Sequence, residues 1–164
     1  DKIARLLGEQ QLILMCGHNE VLARRLKKLR RAAPHAVVGF TLDVGRHMAL
    51  ADYFIGKPGP GSLSEAVHMG LPVITFSNAW TMPQERFNTR WVVEQGVGRV
   101  VRSVAALPEA VHGVLAELPG LRRRVRAIDN RAVFEVPQIF AELLMRAAVP
   151  QRMPDVPQLS GALS

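Results

Sequence analysis

The run Gly56-Lys57-Pro58-Gly59-Pro60-Gly61-Ser62-Leu63-Ser64-Glu65 gathers bare glycine backbone, serine hydroxyls and the start of a helical pattern into one short turn. Leu50 to Ile55 before it reads as a strand edge with one acidic break, and the stretch after it stays helix-forming until Gly70. This spacing predicts a helix that begins where the glycines stop. The first backbone N–H groups of a helix lack internal partners and lie at the positive end of its dipole, so phosphate-like anions can approach where side chains are absent. The turn matches neither the dinucleotide nor the P-loop pattern: Lys57 precedes the glycines, so no Walker-type lysine follows them to reach a triphosphate. Ser62-Leu63-Ser64-Glu65 also spells a capping box, in which Glu65 bonds back to the helix start, and Thr81-Met82-Pro83-Gln84 repeats that spacing. Capping and ligand binding are therefore both open for these residues.

The remaining reactive side chains are sparse. His18 follows an apolar run at a strand end, where it either touches a ligand or serves only the turn. His35, His47, His68 and His112 lack a paired carboxylate or metal-ligand spacing, so no metal is expected. A single cysteine, Cys16, excludes an internal disulfide framework and a cysteine-rich zinc site. No catalytic base stands out.

These residues must be held by alternating strands and helices. After a short helical piece at Lys2 to Leu7, apolar runs at Gln11–Cys16, Ala36–Phe40, Asp52–Ile55, Pro72–Phe76 and Val97–Val101 have strand length, and helical or turn segments separate them. Asn19 can cap a helix with Leu22, Leu26 and Leu29 on one stripe and basic residues on its other faces, stopped by Pro34. Gln84 to Gln95 sets Phe87, Trp91 and Val92 on one side and ends at Gly96. Leu107, Val111, Val114, Leu115 and Leu118 form one further helical stripe. Val136, Ile139, Phe140, Leu143, Leu144 and Ala147 form another, so two helices are expected to close the domain. Such alternation implies parallel strands joined by crossover helices. The expected fold class is α/β, a Rossmann-like three-layer sandwich with a mostly parallel sheet, over residues 1–149; a Pro-containing tail follows at 150–164. In an open parallel sheet, ligands bind at the carboxyl ends of the strands. Four loops meet that condition: Gly17-His18-Asn19, Phe40 to Asp43, the Gly56 to Ser62 turn, and Ser77 to Gln84.

Twenty-one basic against fourteen acidic residues give a net charge of +7, which favours phosphates, nucleic acid or an anionic membrane as partners. Nucleic acid is the weakest of these, because the few aromatic residues are not interleaved with the arginine clusters. The longest apolar runs fall far short of a bilayer span. The chain opens on Asp1 without a secretory leader, so the expectation is a fragment of a cytoplasmic protein.

In order, the landmarks are Cys16-Gly17-His18-Asn19, Val38-Gly39-Phe40, Ala51-Asp52, Gly59-Pro60-Gly61-Ser62-Leu63-Ser64-Glu65-Ala66, Gly70-Leu71-Pro72 and Pro83-Gln84-Glu85-Arg86-Phe87-Asn88. Over Gln11 to Leu144 this succession resembles the C-terminal, donor-binding half of GT-B glycosyltransferases. The resemblance is closest to the diacylglycerol galactosyl- and glucosyltransferases and to the enzyme that adds N-acetylglucosamine to the lipid-linked peptidoglycan precursor. It implies an inverting, metal-independent hexosyltransferase with a UDP-sugar as donor substrate, no further cofactor, and a lipid or lipid-linked acceptor. It further implies that Phe40 and the backbone at Thr41 face uracil, that Ser62 with the Gly59 to Gly61 backbone meets the diphosphate, and that Glu65 accepts from the ribose hydroxyls. Gln84 and Glu85 would hold the sugar hydroxyls; from its place at the end of the first strand, His18 is expected to touch phosphate or sugar as a further substrate-binding residue. In the resembled enzymes the acceptor site and the base belong to an N-terminal domain, so this half alone is expected to bind without turnover.

Two other readings stay open. A UDP-N-acetylhexosamine epimerase resembles the same fold and would reuse the donor site. A non-catalytic module could instead dock its basic helix face, or Arg122-Arg123-Arg124 with Arg126, on an acidic membrane or a partner; solvated surface is the simpler use of those charges. A peripheral position at the inner face of the membrane follows from the lipid-acceptor reading.

Overall fold

The computed structural model describes residues 1–79 and 81–148. The expected tail at 150–164 lies outside the described residues. The elements run α1 (Lys2–Leu6), β1 (Leu12–Met15), α2 (Glu20–Lys27), β2 (His35–Val38), α3 (Val44–Met48), β3 (Phe54–Gly56), α4 (Pro60–His68), β4 (Val73–Phe76), α5 (Pro83–Glu94), β5 (Gly98–Val101), a 3-10 turn (Val104–Ala106), α6 (Leu107–Ala116), α7 (Leu118–Arg126) and α8 (Ala132–Ala148). Asp1–Asp129 form one compact unit, and the described residues 130–148 belong to a second.

All strand pairs are parallel, as the alternation of elements requires. Hydrogen bonds divide the strands into a β1-β2 pair and a β3-β4-β5 sheet. One core nevertheless joins them, because Leu12 of β1 and Ile55 of β3 pack against the same buried cluster. The layers follow from alternation along β4. Val73 is buried among Leu63, Ala66 and Val67 of α4 and Val92 of α5, whereas its neighbour Ile74 is buried among Leu7 and Leu107, Val111 and Val114 of α6. Successive side chains of a strand point to opposite faces, so this β-sheet carries helices on both. The Asp1–Asp129 unit is thus an α/β sandwich of three layers.

Several element boundaries differ from the sequence expectation. Asn19 does cap α2, its Oδ1 accepting from Leu22 N at 2.9 Å. The helix ends well before Pro34, however, as Lys28 and Leu29 turn back to the Arg25 and Leu26 carbonyls. The chain beyond is fixed by Arg31, whose guanidinium donates to the carbonyls of Ala4, Leu7, Gln10, Ala33 and Pro34 and so ties the end of α1 to the entry of β2. Helix α7 was not expected: its arginines hide the buried pair Leu121 and Val125, one helical turn apart. Phe87 of α5 is exposed while Val92 is buried, so only part of the expected apolar side of that helix faces the core.

The stripe of α8 is real as a pattern, yet Val136, Ile139, Phe140, Leu143 and Leu144 are all exposed. Periodicity reports an apolar face without reporting what covers it. No helix among the described residues is long and apolar enough to cross a membrane.

Candidate functional site

Helix α4 starts earlier than its glycines suggested. Gly59 is the N-cap, in extended conformation, and Pro60 is the first helical residue, where its fixed φ suits the helix and its missing N–H is no loss. Leu63 N returns to Gly59 O at 3.2 Å. Gly61 and Ser62 therefore occupy the first turn, where helix geometry gives their N–H groups no internal acceptor. No acidic side chain stands in that turn to neutralise it, and no side chain caps it. The capping box is consequently absent: Ser62 is not the N-cap, and Glu65 lies too far along the helix to bond back to its start. The same holds for α5, whose N-cap is Met82 without a side-chain bond. Thr81 instead accepts from Asn78 N at 2.9 Å, and Gln84 Nε2 lies 3.4 Å from Met82 Sδ.

The glycines of the turn differ in what they do. A side chain at Gly56 would strike the Phe54 ring, so that glycine serves the fold. At Gly59 a Cβ would meet only Ser62 Oγ at 3.8 Å and Glu85 Oε1 at 3.9 Å, both ordinary contacts. At Gly61 a Cβ would meet nothing within 4 Å. Neither has the positive φ that demands glycine, which among the described residues occurs only at Gly17, Gly70 and Gly96. The protein itself therefore has no need of bare backbone at 59 or 61.

Glu85 and Ser62 converge on Gly59 because α5 lies against the turn. Asn88, farther along α5, donates from Nδ2 to Pro58 O at 2.7 Å. Thr75 of β4, fully buried, donates from Oγ1 to Gly56 O at 2.9 Å. Neither role is visible in the sequence alone. The signal available for Asn88 was its helical spacing from Gln84 and Glu85, which sets it beside them on α5.

A second cluster forms at the ends of β1 and β2. His18 and Phe40 stack face to face, ring centroids 4.0 Å apart and planes at 18°. Both are exposed, Phe40 by 57%. Thr41 Oγ1 accepts from Asp43 N at 3.0 Å, and Asp43 Oδ1 accepts from Arg46 N to cap α3. Glu65 is exposed on the turn of α4 that follows Ser62. The structure thus groups His18 with Phe40, and Gly59 with Ser62 and Glu85, while Gln84 turns toward Met82. Among the described residues, no three His, Cys, Asp or Glu side chains gather as a cation site.

The family model of the glycosyltransferase family 28 C-terminal domain matches residues 1–136. The chain belongs to that family. The family 28 domain is 36% identical over 107 residues to the chloroplastic monogalactosyldiacylglycerol synthase of Spinacia oleracea, covering 64% of this chain and 20% of that protein. It is 30% identical over 165 residues to monogalactosyldiacylglycerol synthase 1 of Arabidopsis thaliana, covering 94% and 29% respectively. This family 28 domain therefore spans less than a third of the length of either relative. The crystal structure of a glycotransferase of kitacinnamycin superposes with a TM-score of 0.47 at 20% identity, over 85% of this chain and 43% of that one.

Proposed function

We propose that this chain is the donor-binding half of an inverting, metal-independent hexosyltransferase that uses a UDP-sugar and a lipid or lipid-linked acceptor. The observation that carries the reading is the Gly59 to Ser62 turn, where backbone is bare although the fold leaves room for side chains. A diphosphate needs that room, since its oxygens must come within hydrogen-bond distance of the Gly61 and Ser62 N–H groups at the positive end of α4. Negative charge grows on the departing UDP during transfer, and preorganised N–H donors oppose it without a divalent cation. The Ser62 hydroxyl adds a donor at the same place.

The other roles follow from position. Phe40, braced by His18, offers an exposed ring for the base, with the Thr41 backbone at its edge. Glu65 can accept from both ribose hydroxyls, having no capping duty, and Glu85 beside Gly59 is placed to accept from the sugar, with Gln84 next to it. The relatives are named for making monogalactosyldiacylglycerol, which supports a hexose donor and a diacylglycerol-type acceptor here. The base and the acceptor site are assigned to the rest of such a protein. Exposed Arg24 and Lys27 on α2, with Lys28 at its C-cap, give this half a cationic face for a peripheral position at the membrane that holds the acceptor. Calorimetry with UDP tests the reading: saturable heat is expected, and folded protein that gives none at millimolar UDP refutes it.

A further inference from the structure

Asn88 lies one helical turn beyond Glu85 on α5, so the two side chains lie on the same side of that helix. Glu85 reaches the space above Gly59, and Asn88 reaches the carbonyl immediately before it, that of Pro58. Pro58 is buried and Asn88 half-buried. At 2.7 Å this is a short bond between residues thirty apart in sequence. Thr75 holds the carbonyl at the other end of the turn, that of Gly56. Prolines at 58 and 60 fix φ on both sides of Gly59. With Gly56 O and Pro58 O both held, the freedom that remains in the turn is small, and the direction of the first α4 N–H groups is set before any ligand arrives.

We propose that Asn88 is a positioning residue for the donor, fixing the Pro58–Gly59 peptide and, with it, the offset between the diphosphate-binding N–H groups and the sugar-facing Glu85. The proposal rests on the reading of this turn as the diphosphate seat. Its chemistry is specific to a neutral donor. An aspartate would present negative charge both to the Pro58 carbonyl and to the diphosphate, whereas an alanine would leave the carbonyl without its partner and the turn free to move. Binding would then include the ordering of the turn, a cost that preorganisation removes.

The 164-residue chain carries the test, with UDP and uridine as probes, the first by calorimetry and the second by NMR titration. Asn88→Ala is expected to bind UDP about tenfold more weakly while uridine affinity stays within about twofold of the parent. Asn88→Asp is expected to be weaker still toward UDP. Unchanged UDP affinity in Asn88→Ala overturns the proposal, as does an equal loss for UDP and uridine, which marks a general scaffold role. Absence of UDP binding by the parent chain overturns the diphosphate reading itself, a different result. Should the variants fail to fold, the parent chain still decides. The Asn88 side-chain amide protons are expected to exchange slowly with solvent and to show a cross-peak to Pro58 without ligand; rapid exchange without that cross-peak overturns the proposal.

Discussion

Gly61→Ala separates what the fold requires from what the ligand requires. The added methyl enters open space in the first turn of α4, with nothing within 4 Å and no positive φ to strain. Replacing a helical glycine by alanine stabilises by about 0.5–1 kcal/mol, mostly through the unfolded chain. For a chain of this size that corresponds to a melting temperature raised by about 1–4 °C. The same methyl projects beside an N–H assigned to the diphosphate. A displacement that weakens those bonds is expected to cost at least about 1.4 kcal/mol of binding, or tenfold in Kd. Stability and affinity should therefore move in opposite directions, as a mutation that merely damaged the domain could not make them do. Scanning calorimetry and UDP titration of the same preparation read both. A raised melting temperature with unchanged UDP affinity would refute the assignment of the open space to a ligand, and a lowered one would refute the helix start at Pro60.

Three further outcomes are expected. Phe40→Ala should lose affinity for UDP and uridine alike, whereas His18→Phe, which preserves a ring against Phe40, should retain both in titrations; loss in both variants would mean that His18 itself touches the ligand. Gly98→Ala drives a Cβ into the Val73 carbonyl, which is backbone of the β4–β5 pair and cannot yield, so denaturant unfolding should show a loss of at least about 2 kcal/mol. Burial, then the neighbouring Asp52 charge, raises the Tyr53 phenol above its ordinary value of 10.0. A raised pKa favours the neutral phenol in the fold, so this contribution is fully present below pH ~10 and is lost as pH rises through the folded value. Tyr53→Phe should flatten that alkaline loss in pH-dependent melting, and an unaltered alkaline limb would refute the attribution.

Much of the scaffold could be read from local chemistry. All five strands were placed within about two residues, because short apolar runs bounded by Gly, Pro and Asn report burial and breakage directly. The Asn19 cap was legible for the same reason. Helix α7 was not, since four arginines outweigh Leu121 and Val125 in any reading by composition, although those two residues suffice to bury one side. The capping boxes misled in the opposite direction. Their spacing is satisfied in the sequence, but Pro60 moves the start of α4 upstream and leaves Ser62 and Glu65 without that duty. A local motif cannot report which of several adjacent residues becomes the N-cap when proline favours an earlier one.

By itself, the sequence determined the α/β alternation, the parallel pairing and the presence of a bare glycine turn before a helix, because each depends on residues close along the chain. Tertiary structure alone decided that Glu85 and Ser62 meet over Gly59, that Asn88 and Thr75 hold the turn's carbonyls, and that His18 lies on Phe40. It also decided that Gly56 is bare for the fold while Gly59 and Gly61 are not. The physical reason is that room around a backbone atom depends on where packing holds the neighbouring side chains, Phe54 against the core beside Gly56 and Glu85 of α5 beside Gly59. In composition these glycines look alike, and only the Phe54 ring over Gly56 and the open space at Gly59 and Gly61 tell their uses apart.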